Sequence, residues 1–196
     1  LRAGYHNIPI EESSRDVTAF ITRRGIWRYR AMPFGLTTAP AVMQRCMDLV
    51  LTGLTFETCL VYLDDCIVFG RSFEELLDRL SCVLHRFAEA GLKLKPSKCF
   101  FFQRRVAFLG HIVSESGLEM QPDKLEVVRD WPTPVDLTSL KSFMGLCSYY
   151  RRFVDHFSDV AAPLFQLTRK SVPFVWREEQ DEAFEHMKRL LTSSPI

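Results

Sequence analysis

No apolar stretch in the 196-residue sequence reaches the roughly 18 residues that a membrane-spanning helix needs, so no such helix is expected. The N-terminus lacks the charged-then-apolar layout of a signal peptide. No C-x-x-C pair and no histidine at zinc spacing accompany the six cysteines, Cys46, Cys59, Cys66, Cys82, Cys99 and Cys147. They read as reduced, buried thiols in a soluble intracellular protein. An excess of either charge is also missing, with 25 Lys and Arg against 24 Asp and Glu, a formal net charge of +1. The whole-molecule field therefore gives little pull on a polyanion, and local patches must hold any nucleic acid. Internal repeats and low-complexity tracts are absent too. What is present is apolar: 47% hydrophobic and 12% aromatic residues are enough to bury one large core or two small ones, which excludes disorder. The sequence starts at Leu1 without an initiator methionine and stops shortly after a well-patterned helix, so both ends are expected to be cuts in a longer chain.

The first forty residues alternate apolar and polar positions, and 17–22 and 26–29 read as strands across an Arg24-Gly25 turn. Pro33, Gly35 and Pro40 break that pattern. Val42, Met43, Cys46, Met47, Val50 and Leu51 then recur at helical spacing, predicting a helix over 38–51 with Pro40 in its first turn. The apolar runs 59–63 and 66–69 flank Asp64-Asp65, predicting a central hairpin buried on both faces with carboxylates at its tip. Phe73, Leu76, Leu77, Leu80, Val83, Leu84 and Phe87 form one stripe and predict a helix over 72–90, with Ser72 and Glu75 as a capping box and Gly91 as a left-handed C-terminal cap. Strands at 92–95, 100–102, 106–113 and 118–120, with Gly110 and Gly117 as bends, would complete an antiparallel sheet. Beyond Gln121 the texture is helical, with helices expected over 122–131, 137–153 and 160–169. The apolar run 173–176 and a helix over 178–192, carrying Ala183, Phe184, Met187, Leu190 and Leu191 on one face, open a third segment.

Adjacent carboxylates at the end of a buried strand are costly, because each needs a cation or hydrogen-bond donors to stay charged away from water. A divalent metal meets that need; a solvated Asp-Asp turn is the plain alternative. Neighbouring strand residues point to opposite faces, so Asp64 and Asp65 are not expected to contribute equally to one metal pair, and a partner carboxylate is required from elsewhere.

Tyr62-Leu63-Asp64-Asp65 resembles the Tyr-x-Asp-Asp box of reverse transcriptases. Further matches follow the family's order. Leu1-Arg2-Ala3-Gly4-Tyr5-His6-Asn7-Ile8 resembles the segment after its first catalytic aspartate, and Met32-Pro33-Phe34-Gly35-Leu36-Thr37-Thr38-Ala39-Pro40 its nucleotide-pocket segment. Gly91-Leu92-Lys93-Leu94-Lys95-Pro96-Ser97-Lys98-Cys99 resembles its lysine-bearing motif, and Phe108-Leu109-Gly110-His111 its primer grip. With Leu140-Lys141-Ser142-Phe143-Met144-Gly145-Leu146 and Tyr149-Tyr150-Arg151-Arg152-Phe153 behind them, the set is similar to gypsy-type long-terminal-repeat retrotransposons.

The resemblance implies an α+β fold: an antiparallel polymerase palm sheet with packed helices and partial fingers over 1–121, a helical thumb or connection over 122–172, and the start of an RNase H-like domain, its first strand and helix, over 173–196. It implies RNA-directed DNA polymerisation with two magnesium ions, or manganese in their place, on an RNA or DNA template with primer and deoxynucleotides. The remainder of a Pol polyprotein would be the covalent partner, no membrane is involved, and the location would be a cytoplasmic retroelement particle. Asp64 would touch both ions and Asp65 would be the more peripheral acid, while the family's other essential aspartate falls immediately before Leu1. Tyr5 would lie beneath the incoming sugar, with Phe34, Gly35 and Leu63 also at the nucleotide. Lys98 would give a proton to the leaving pyrophosphate. Phe108, Leu109, Gly110 and His111 would hold the primer end, and Lys141, Arg151 and Arg152 the backbone phosphates. Each has a plain counterpart: a core aromatic for Tyr5, a solvated strand-edge lysine for Lys98, a strand histidine for His111, a solvated helix face for the basic residues. Two rival functions stand beside the polymerase: an inactive retroelement remnant acting only as a nucleic-acid-binding or structural module, and a metal-dependent nuclease. The nuclease does not account for Tyr5, Phe34 and the primer-grip match together.

Overall fold

The computed structural model describes Leu1 and residues 3–193; Arg2 of the first motif and the last three residues of the 173–196 segment lie outside the described residues. The chain forms two compact units, Leu1–Gln103 and Arg104–Ile196. The class is α+β, with helices and small antiparallel sheets.

In the first unit, short 3-10 turns at Gly4–Asn7 and Glu12–Thr18 lead to β1 (Phe20–Thr22) and β2 (Gly25–Trp27), an antiparallel ribbon closed by Arg23 and Arg24. The strand expected over 17–22 is thus shorter, because Val17 and Thr18 belong to the 3-10 turn, where the Thr18 hydroxyl donates to the Arg15 carbonyl at 2.7 Å. Helix α1 (Ala39–Val50) follows with Pro40 in its first turn, where a missing N–H costs no helical bond. Its Met43 and Met47 are fully buried with Leu51, Cys59, Val83 and Phe87 in the core of this unit. Burying one such side chain contributes about 1.5–3 kcal/mol, which fixes the rotation of α1 about its axis. Strands β3 (Cys59–Tyr62) and β4 (Asp65–Val68) pair antiparallel in the expected place. Helix α2 (Phe73–Glu89) begins where Ser72 Oγ accepts from Glu75 N–H at 3.1 Å and ends before Gly91, which takes φ +68°. No strands form at 92–95 or 100–102; a 3-10 turn at Pro96–Lys98 stands between them.

In the second unit the segment expected as one strand over 106–113 is two, β5 (Arg105–Phe108) and β6 (His111–Ser114), turning at Leu109-Gly110 and joined by β7 (Gly117–Met120). Among the described residues the strands form three separate small sheets in place of one continuous sheet. Helices α3 (Pro122–Arg129), α4 (Leu137–Tyr149), α5 (Phe157–Gln166) and α6 (Glu178–Thr192) bury Val128, Phe143, Leu164 and Phe184 in one core. The α4 N-terminus is set by Asp136, whose carboxylate accepts from Ser139 N–H at 2.7 Å while Ser139 Oγ accepts from Asp136 N–H. The run 173–176 forms no strand among the described residues; Phe174 and Trp176 pack on the same core as α6.

Candidate active site

The β3–β4 ladder closes at Tyr62 opposite Asp65, leaving Leu63 and Asp64 as a two-residue turn. Leu63 takes φ +54°, a left-handed backbone that costs a non-glycine residue about 1–2 kcal/mol. Its N–H donates to Oε1 of Gln44 on α1 at 2.7 Å, and Gln44 Nε2 donates to Asp48 Oδ1 at 2.8 Å. The Asp64 carbonyl accepts from the Leu1 nitrogen at 3.2 Å. Gly4 is buried beside it: a Cβ there would stand 3.3 Å from Asp64 Cβ and 3.4 Å from Met43 Cε, so a larger residue would crowd the approach of the 4–7 turn to the tip. Sequence reading missed the roles of Gln44 and Gly4; a glycine directly after the first motif residues was the one available signal.

The hairpin is not buried on both faces as expected. Asp64 and Asp65 are both exposed, and Tyr62 is 54% exposed. Cys59 is buried and Val61, Cys66 and Val68 pack on the core of this unit, so one face of the ribbon is covered while the carboxylates at its tip lie in solvent. Hard oxygen donors at an exposed tip fit magnesium or manganese by their chemistry, and two carboxylates are part of what a two-ion site needs. Among the described residues no cluster of three metal-ligating side chains forms. Further along the hairpin, the hydrogen bond with Cys59, then burial, push the Cys66 thiol up, so it stays protonated.

Tyr5 and Phe34, far apart in sequence, meet with ring centroids 5.2 Å apart, and His6 flanks Phe34 at 5.4 Å. Phe34 is 69% exposed, and the adjacent Gly35 adopts φ +94° with open space where a Cβ would stand. Lys98 is exposed on the 96–98 turn and lines a cavity of about 690 Å³ together with Leu1, Ala3 and Lys95. Leu1 lines that cavity and also donates to the Asp64 carbonyl, while Leu63 and Asp64 are not among the cavity's lining residues.

The second unit carries its own arrangement. The β5–β6 turn holds Leu109 at φ +48° and Gly110 at φ +75°. Tyr149 Oη donates to the Leu109 carbonyl at 2.6 Å, and Tyr150 Oη to the Gly110 carbonyl at 2.9 Å. His111 stacks on Tyr149 at 5.4 Å and 15°, with its Nδ1 buried and without a partner. Burial first, and then the Arg152 charge, hold the His111 pKa below its ordinary value. Two motifs forty residues apart are thus one structure. Arg151 and Arg152 are exposed, with guanidinium groups over the Phe157 and Phe153 rings at 5.6 and 6.0 Å. Lys141 lies near the other end of α4, about 15 Å along the axis at 1.5 Å per residue, so the three cations do not form one cluster.

Residues 1–113 match the reverse transcriptase (RNA-dependent DNA polymerase) family. The chain belongs to the reverse transcriptases. Over its whole length this reverse transcriptase segment is similar to Drosophila melanogaster retrovirus-related Pol polyproteins: 39% identical over 196 residues to that of transposon 412 and 31% over 207 residues to that of transposon gypsy. It spans only 16% and 20% of those proteins. Among solved structures it is similar to the foamy viral protease-reverse transcriptase in complex with double-stranded DNA, at 25% identity and a TM-score of 0.87 over 96% of this chain and 33% of that one. The same viral protein in complex with an RNA/DNA hybrid matches in fold at a TM-score of 0.84 and 24% identity, over 97% of this chain and 26% of that one. No helix among the described residues is long and apolar enough to cross a membrane.

Proposed function

We propose that the chain is the palm and thumb part of an RNA-directed DNA polymerase that extends a primer on an RNA or DNA template. The observation that carries this is the β3–β4 tip, where Asp64 and Asp65 stand with Leu1 and Gly4 against Asp64, in a chain of the reverse transcriptase family. Two bound magnesium ions, or manganese, would supply activation of the primer 3′-hydroxyl and neutralisation of the triphosphate. Asp64 and Asp65 would be the residues that hold those ions, with a further carboxylate required from elsewhere. Tyr5 packs under the deoxyribose with Phe34 beside it, Gly35 and Leu63 offer backbone to the nucleotide, and Lys98 returns a proton to pyrophosphate. Residues 108–111 support the primer end, and Lys141, Arg151 and Arg152 take backbone phosphates without reading sequence. The segments 1–121, 122–172 and 173–196 correspond to palm with partial fingers, helical thumb, and the opening of an RNase H-like domain of an intracellular retroelement polyprotein.

A second reading, a nucleic-acid-binding module without chemistry, rests on one observation: among the described residues no third acidic side chain joins Asp64 and Asp65. Primer extension separates the two. Residues 1–196 alone are expected to give none. The chain extended upstream through the fingers and an aspartate before Leu1 is expected to extend a primer, Asp64→Asn to abolish extension while duplex binding persists, and Asp65→Asn to slow it less. No extension from the longer chain, or a rate kept in Asp64→Asn, favours the module.

A further inference from the structure

We infer that Gln44, oriented by Asp48, is a positioning residue that sets the direction of the Asp64 and Asp65 carboxylates; this rests on the metal-holding reading of the hairpin tip. A two-residue hairpin turn is ordinarily made by glycine, asparagine or aspartate at its left-handed positions. Here Leu63 occupies one at φ +54°, with no side-chain group to bond its own backbone. Something outside the turn must hold it. The Leu63 N–H lies beyond the last ladder pair, Tyr62 with Asp65, and is a donor that must find an acceptor. Gln44 Oε1 meets it at 2.7 Å.

An amide side chain presents either oxygen or nitrogen, and the wrong face would set donor against donor. Asp48, one helical turn further along α1, decides this by accepting from Gln44 Nε2 at 2.8 Å. The helix itself cannot rotate, because Met43 and Met47 on the adjoining positions are fully buried. On the other side of the tip Asp64 is confined by Leu1 N at 3.2 Å and by Gly4. A rigid helix therefore dictates the dihedral angles of Leu63, and these dictate where the next two residues point. Asp48 acts through Gln44 and touches neither carboxylate's site directly.

The test uses the ¹⁵N-labelled chain, amide hydrogen exchange at Leu63, and Mn²⁺ line broadening of the Asp64 and Asp65 amides. Wild type is expected to protect the Leu63 amide. Gln44→Ala should speed its exchange about fivefold and raise the Mn²⁺ concentration for half-broadening by a similar factor. The double variant Gln44→Glu with Asp48→Asn keeps an acceptor for Leu63 and a donor beside it, and should restore both readings, which a mere loss of fold would not allow. An unprotected Leu63 amide in wild type, or an unchanged Mn²⁺ response in Gln44→Ala with faster exchange, overturns the inference. If wild type and Asp64→Asn respond to Mn²⁺ alike while Leu63 is protected, the metal-holding reading is what fails, and the positioning role falls with it.

Discussion

Alanine at position 110 must adopt a backbone that glycine reaches freely, since Gly110 sits at φ +75° in the β5–β6 turn. Its Cβ would also stand 3.1 Å from Tyr150 Oη and 3.4 Å from Tyr149 Cε1. The left-handed backbone costs alanine about 1–2 kcal/mol. Displacing the Tyr150 hydroxyl weakens its 2.9 Å bond to the Gly110 carbonyl, worth about another 1 kcal/mol. Gly110→Ala is therefore expected to destabilise the second unit by about 2–3 kcal/mol, a fall of about 1–2 M in the urea midpoint. Tryptophan fluorescence in a Trp27→Phe background reads this unit, because Trp131 and Trp176 pack on its core. In a Tyr150→Phe background the contact and the bond are already gone, so the same change should cost only the backbone part, a coupling of about 1 kcal/mol. A cost below about 0.5 kcal/mol would refute the left-handed turn, and an equal cost in both backgrounds would refute the tyrosine contact.

Tyr5→Val, in the upstream-extended polymerase, should raise the kcat/KM ratio of ribonucleotide to deoxynucleotide about five- to 150-fold, the equivalent of about 1–3 kcal/mol of crowding; an unchanged ratio leaves Tyr5 as a core aromatic. Arg151→Ala should lower the slope of log affinity for a duplex against log salt by about 0.9 if one phosphate contact is lost, measured by fluorescence anisotropy, and an unaltered slope returns the arginine to its Phe157 ring. His111 is depressed in the folded state, so the unfolded chain binds more protons just below the ordinary imidazole pKa, and stability is lost as pH falls through that range. The Tm advantage of wild type over His111→Phe should accordingly shrink from pH 7.5 towards acid (on the order of two pH units); a constant difference contradicts the assignment.

Elements with a strong period were legible in the sequence, and elements defined by single backbone angles were not. The stripe from Phe73 to Phe87 and the cap pair of Ser72 and Gly91 placed α2 to within a residue at each end. The apolar runs around Asp64-Asp65 placed β3 and β4. The turn at 109–110 was hidden because Leu109, an apolar residue with no turn signature, takes a positive φ there, held by a tyrosine hydroxyl forty residues away. Gln44 was hidden for a similar reason: a polar residue on a helix face carries no sign of its partner across the fold. Burial of the hairpin was misjudged because an apolar run reads alike in a covered sheet and in a two-stranded ribbon.

The β1–β2 ribbon has a practical outcome for handling the protein. Ile21 is 81% and Ile26 73% exposed on one side, Phe20 and Trp27 43% and 52% on the other, and the ribbon belongs to a sheet of only two strands. Its free edges offer unpaired N–H and C=O groups next to bare apolar surface, the combination that templates edge-to-edge association. Arg23 and Arg24 at the tip oppose a second copy by like charge, and that opposition weakens as salt screens it. Concentrated stocks should stay monomeric at low ionic strength and begin to scatter light as salt is added, a colloidal behaviour opposite to that of a protein whose nucleic-acid patches drive its aggregation.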